Sequence, residues 1–235
     1  MTVNPVLPDI TQYQKSPLTS AIQWVGMDNI AVPVKVAESA GYVPGIAATN
    51  VYVGLQQPEA KGIHMSRLYM QVQQAFSQHS LSDDLITSLI ESLIASQQGL
   101  STSARLELNV DVMLNKPALR SATSGYQTYP VTLIFTQYGD ELTSQYRVTV
   151  PYSSTCPCSA SLARKAQAEA FAHHFDKETV GKANVADWLA SDLASIATPH
   201  SQRSYVYAEL TTNGGVVPDF INTIQGIEVA LGTAV

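Results

Sequence analysis

The sequence predicts an α+β protein in which helices cover one face of an antiparallel sheet. Three observations carry that reading. From Arg105 to Leu114, Leu106, Leu108, Val110, Val112 and Leu114 are apolar, while Arg105, Glu107, Asn109 and Asp111 between them are polar. A period of two marks a half-buried strand, typical of an antiparallel sheet. Leu81, Leu85, Leu89 and Leu93 recur every fourth residue with Ile86, Ile90 and Ile94 beside them, which is the apolar stripe of an amphipathic helix. Strand patterns are grouped before and after two helical patterns, which favours helices on one face of a sheet.

Residues 1 to 20 are polar and Pro-rich and read as an arm. Ile22 to Val25 and Ile30 to Val34 are short apolar runs, read as short strands or an extended segment. Ala47 to Leu55 reads as a strand with Val51, Val53 and Leu55 on one face. Lys61 to Arg67 is a loop leading into a helix marked by Leu68, Val72, Ala75 and Phe76. In the next helix Ser82 suits the N-cap, Asp83 and Asp84 the first turn and Gly99 the stop. Val131 to Tyr138 and Glu141 to Val150 read as strands joined by a Gly139-Asp140 hairpin. Pro151 is expected to end the second of them, leaving Cys156-Pro157-Cys158 in the loop beyond. Ser161 to His174 and Val185 to Ile196 read as helices, Pro199 to Arg203 as a loop and Ser204 to Thr211 as a strand. Pro218 opens a last helix toward Gly232.

Composition narrows the functional classes. The chain has 235 residues, 45% hydrophobic and 14% charged, with a net charge of -6. That length buries a sizeable core. The negative balance argues against a protein coated in basic residues for duplex nucleic acid, and leaves room for a local basic pocket around a small anion. No stretch reaches about eighteen uninterrupted apolar residues, so no membrane span is expected. The first residues lack the basic start and apolar core of a signal peptide, and the expected compartment is the cytoplasm. The two cysteines lie in one tripeptide, Cys156-Pro157-Cys158, a spacing poorly suited to an unstrained mutual disulfide.

Three segments carry chemically capable residues. Cys156 and Cys158 are either small buried apolar residues or thiolates for a metal or a substrate, in a polar Ser-Ser-Thr-Cys-Pro-Cys-Ser stretch. His200 is either a polar surface residue or a ligand facing the cysteines. His173 and His174, on an Ala-rich helix, read as solvated surface. Lys61, His64, Ser66 and Arg67 at a helix start either form a solvated cationic loop or bind an anion through backbone N–H groups and cations.

Together these segments are familiar. Leu7-Pro8-Asp9-Ile10, Ile22 to Met27, Lys61 to Arg67, Cys156 to Ser159 and His200 to Ser204 occur in that order. The combination resembles the type IB GTP cyclohydrolases, the second class of GTP cyclohydrolase I. The resemblance implies the tunnelling fold, an antiparallel sheet with two helices on one face, assembled through barrels into a homotetramer. It implies a single cyclohydrolase domain over 1–235, within a fold that can be bimodular. It also implies conversion of GTP and water to 7,8-dihydroneopterin triphosphate and formate, the first step of folate and pterin synthesis. The implied cofactor is a divalent metal, zinc, manganese or iron.

Carried over by residue, Cys156 matches a metal-binding and catalytically important cysteine, and His200 a metal-binding histidine. His64 falls in a motif lining the site and suits proton transfer. Lys61, Arg67 and Arg203 are candidates by position for the triphosphate. A family glutamate serves as third metal ligand; Glu228 is the acidic residue nearest that region, and an exposed helix glutamate is the competing reading. Opening the imidazole ring requires water to attack an unactivated carbon, and a metal that acidifies its bound water suits that task.

Two departures stand out. The family's histidine motif follows its first cysteine closely, whereas His200 lies forty-four residues after Cys156, with a helical insertion expected over 160–197. Family members also continue past the segment matching Gly226 to Thr233, so the reading expects a chain truncated at Val235. Two alternatives compete with the cyclohydrolase. One is a non-catalytic purine- or pterin-binding relative. The other is an enzyme of the same fold using Cys156 or Cys158 as nucleophile on a nitrile or purine.

Overall fold

The computed structural model describes residues 20–38, 41–118 and 121–232. Six strands form one sheet in chain order: β1 (Ile22–Glu38), β2 (Gly41–Leu55), β3 (Ser103–Pro117), β4 (Ser124–Tyr138), β5 (Glu141–Thr155) and β6 (Ser201–Asn213). The pairs from β1 through β5 are antiparallel. Between β2 and β3 the chain forms helices α1 (Met65–Gln78) and α2 (Asp83–Ala95). Between β5 and β6 come α3 (Pro157–His174), α4 (Lys182–Ala190) and a short 3-10 turn, and α5 (Phe220–Leu231) follows β6. The α+β class is as expected. Among the described residues no helix is long and apolar enough to cross a membrane.

The described residues divide into two compact units. The first lies within 1–150 and 207–224, the second within 151–206 and 225–235.

In the first unit, register builds the core row by row. Val51 opposes Leu106, which opposes Phe135; Ala47 opposes Val110, which opposes Val131 and then Val148. All are buried, and Leu68, Val72 and Phe76 of α1 with Leu85, Ile86, Leu89, Ile90 and Leu93 of α2 are buried as well. The opposite face of the strands is polar. Asn50 and Asn109 donate to Glu107 at 3.5 and 3.4 Å, and Thr132 donates to Asn109 at 2.8 Å. One face covered and one polar is the pattern that strict alternation encodes.

Several elements run longer than their sequence patterns. Ile22 to Val34 is part of a single strand rather than two short runs. Register shifts between Ile22 and Val25 and between Met27 and Ile30 break its alternation, and Asn29 at φ 56° marks the second. Gly26 is needed there, because a Cβ would meet the Val51 carbonyl oxygen at 1.9 Å. Pro33 is tolerated because β1 is an edge strand. β5 does not stop at Pro151 but continues to Thr155. Its ladder with β4 ends at the Val131–Val148 pair, beside Pro130, so the N–H missing from Pro151 costs no bond on that side. β6 starts at Ser201, three residues before the expected strand.

In the second unit α3 starts at Pro157 rather than near Ser161, because proline at the first helical position has a preset φ and loses no bond. The ring centroids of Phe171 and Trp188 lie 5.3 Å apart in edge-on geometry, and those of Phe171 and Phe175 lie 5.0 Å apart, so aromatic packing joins α3 to α4. His173 and His174 are exposed, as expected.

Candidate active site

The second unit brings together residues forty-four positions apart. Cys156 is the N-cap of α3, not a loop residue, and its side chain makes no capping hydrogen bond. Its carbonyl accepts from Ala160 N–H at 2.9 Å, closing the first helical turn. Its own N–H donates to the His200 carbonyl at 3.2 Å. The N–H of His200 donates to Ser159 Oγ at 2.8 Å. Ser153 and Ser154 on β5 meet Ser201 and Ser204 on β6, the latter pair at 2.9 Å between hydroxyls. Neighbouring strand ends thus hold Cys156 and His200 side by side, with the whole helical insertion leaving and returning at one place.

The chemistry of this pair suits a divalent metal in its donor types. Both cysteines are free thiols, Cys156 partly exposed and Cys158 exposed, and His200 is exposed. A thiolate and an imidazole are borderline-soft donors of the kind zinc and iron accept. Among the described residues, no group of three or more His, Cys, Asp or Glu side chains stands ready to hold a metal ion. Glu228 belongs to the same unit, on α5, and is buried at 3% exposure. The alternative of an exposed helix glutamate is therefore overturned. Arg203 lies on β6 with its side chain in solvent.

The first unit carries Lys61, His64 and Arg67. His64 is the N-cap of α1 and uses its main chain rather than its imidazole there: its carbonyl accepts from Arg67 N–H at 3.1 Å, and its side chain makes no capping bond. The first turn of α1 contains no acidic residue, so no carboxylate competes there for an anion. Lys61 is exposed. Arg67 is half-buried and its NH1 donates to the Ser96 carbonyl at 2.7 Å, at the C-cap of α2. A cation at a helix C-terminus is favourably placed, so Arg67 has a structural task that its position in the motif did not reveal. Leu7 to Ile10 lie outside the described residues.

Sequence reading passed over Gln97. It is fully buried, and its Oε1 accepts the His64 N–H at 2.8 Å. In sequence it is one of two glutamines before a helix-stopping glycine, which carries no sign of burial.

Comparison with known proteins bears on this arrangement. The model of the family described as type I GTP cyclohydrolase folE2 matches residues 7–235. The chain belongs to the type I GTP cyclohydrolase FolE2 family. A GTP cyclohydrolase FolE2 from Pseudoalteromonas atlantica is 41% identical over 231 residues, covering 97% of this chain and 75% of that protein. Those from Hahella chejuensis and Pseudomonas syringae pv. syringae are 38% and 37% identical, over 100% and 99% of this chain and 77% and 78% of theirs. Among solved structures, a uricase from Bacillus fastidious aligns over 90% of this chain and 97% of its own with 8% identity and a TM-score of 0.35, a likeness too slight to carry an argument. As a FolE2 family member, the chain presents the Cys-Pro-Cys segment and the His-Ser-Gln-Arg-Ser segment at adjoining strand ends.

Proposed function

We propose that this protein is a GTP cyclohydrolase I that hydrolyses GTP to 7,8-dihydroneopterin triphosphate and formate in folate and pterin biosynthesis. The observation that carries the reading is the Cys156–His200 junction, within a chain matched to the family over residues 7–235.

In this reading Cys156 and His200 hold a divalent metal, zinc, manganese or iron, with Glu228 as candidate third ligand. Such an ion supplies Lewis acidity and water that ionises near neutral pH. Ser159 fixes the main chain of His200 and so the root of its imidazole. His64 moves the protons that ring opening and formate release require. Lys61 and Arg203, both exposed, offer cations to the triphosphate. Arg67 contributes chiefly by bracing the start of α1 against α2. The reading includes the tunnelling fold, assembly as a homotetramer and a cytoplasmic setting in which the thiols stay reduced.

The test is metal-reconstituted protein incubated with GTP, followed by formate release and pterin fluorescence. Formate in step with a fluorescent pterin is expected. Binding of GTP with no formate would overturn the enzyme in favour of a non-catalytic relative.

A further inference from the structure

Gln97 has 0% of its surface exposed. A buried primary amide is costly unless its donors and acceptor are met. Its Oε1 accepts from the His64 N–H at 2.8 Å, and its Nε2 donates to Ser96 Oγ at 2.8 Å. Ser96 Oγ in turn donates to the Leu93 carbonyl at 2.7 Å. The amide is therefore tied at both ends.

The base of Gln97 is equally fixed. Its N–H donates to the Ile94 carbonyl at 3.1 Å, Gln98 N–H donates to Ala95 at 3.2 Å, and Leu100 N–H returns to the Gln97 carbonyl at 3.1 Å. Gln98 at φ 52° and Gly99 at φ 84° take the left-handed conformation that ends the helix. The turn stands on α2, whose Leu89, Ile90 and Leu93 lie in the core. Opposite it, Arg67 binds the Ser96 carbonyl, and Arg67 N–H binds the His64 carbonyl. Both main-chain polar groups of His64 are thus held, and the N–H is held by a side chain rooted in the turn that ends the other helix.

We propose that Gln97 is a positioning residue for His64: its buried amide clamps the His64 main chain, fixes the point from which the imidazole projects, and so governs the proton-transfer step rather than GTP affinity. The proposal rests on the reading of His64 as the proton-moving group. A residue that merely closed the end of α2 would affect stability alone.

The experiment compares wild type, Gln97→Met, Gln97→Asn, Gln97→Glu and His64→Ala in steady-state GTP turnover, with hydrogen exchange at the His64 amide. Met removes the acceptor at similar length, and Asn keeps an amide one methylene too short. Both are expected to lower kcat about tenfold or more, since an error of about 1 Å in a reacting group costs up to about a hundredfold. KM for GTP should stay within about threefold, and exchange at His64 should quicken. Glu keeps the acceptor for the His64 N–H but loses the donor to Ser96 Oγ and buries a carboxylate, so a folded Glu variant should lose stability yet retain more kcat than Met. Adding Gln97→Met to His64→Ala should cost nothing further. A folded Met or Asn variant with wild-type kcat overturns the proposal, as does an equal loss of kcat in the His64→Ala background. Full turnover by His64→Ala overturns the role of His64 instead, and the exchange data then report separately whether the clamp exists.

Discussion

The N–H of Cys156 donates to the carbonyl of His200 at 3.2 Å. The two lie forty-four positions apart in the chain, yet strand β5 delivers one and strand β6 begins immediately after the other. Closing so long an excursion costs little more than closing a short one, because loop entropy grows only with the logarithm of length. A helical insertion can therefore sit between two site residues without parting them.

That junction makes a direct prediction. If Cys156 and His200 hold a divalent metal as proposed, Cys156→Ala and His200→Ala should each reduce the metal bound, measured by elemental analysis, and lower kcat by about a hundredfold or more. Ser159→Ala should leave both donors in place and lose one hydrogen bond, about 1 kcal/mol. A milder loss of metal affinity is expected from it. Full metal content in Cys156→Ala would remove Cys156 from the ligand set.

Core packing can be checked apart from chemistry. Leu93 on α2 is 0% exposed. Leu93→Ala removes apolar contacts and leaves a cavity, and should destabilise by about 2–5 kcal/mol in urea unfolding. Glu91, exposed on the same helix, is the control: Glu91→Ala should change stability by less than about 0.5 kcal/mol.

Tyr146 offers a change expected to be harmless or beneficial. The residue is 2% exposed, and among the described residues its hydroxyl has no hydrogen-bond partner. Burial first, and then the charge of Asp219, push its pKa far up, so it stays neutral through ordinary pH. Tyr146→Phe deletes an unmatched buried hydroxyl while keeping the ring beside Phe220. Thermal unfolding should show an unchanged or higher Tm, and a loss beyond about 1 kcal/mol would mean that the hydroxyl has a partner.

Alkaline pH should expose the Tyr52–Asp28 hydrogen bond. Donation to the Asp28 carboxylate, then burial, raise the Tyr52 pKa from 10.0 to about 12. The folded state thus holds this proton more tightly than the unfolded chain. The resulting stability is fully present below pH 10 and is lost as pH rises from 10 to about 12. Tyr52→Phe should flatten that part of the stability-against-pH curve, and an identical slope in both proteins would contradict the assignment.

Much of this architecture is legible from local pattern. Strand β3 alternates apolar and polar residues, and α2 repeats leucine every fourth residue behind a serine cap; Ser82 Oγ accepts the Leu85 N–H at 3.3 Å, as its sequence position predicts. Other boundaries are not legible because partners decide them. Pro151 reads as a strand end, but β5 has already left β4 at Val148, and a proline there breaks no bond on that side. The break at Gly26 to Asn29 reads as two strands because a bulge shifts the alternation without ending the pairing.

The α+β class and the paired helices follow from periodicity, and the candidates Cys156, His200, His64, Lys61, Arg67, Arg203 and Glu228 from motifs and a family resemblance, because all of these are properties of neighbours along the chain. That Cys156 and His200 adjoin, that Glu228 is buried, that Arg67 braces a helix end and that Gln97 grips His64 emerges only once the chain has folded. Those facts depend on which backbone groups remain to be satisfied once strands and helices have packed, and no local pattern encodes them.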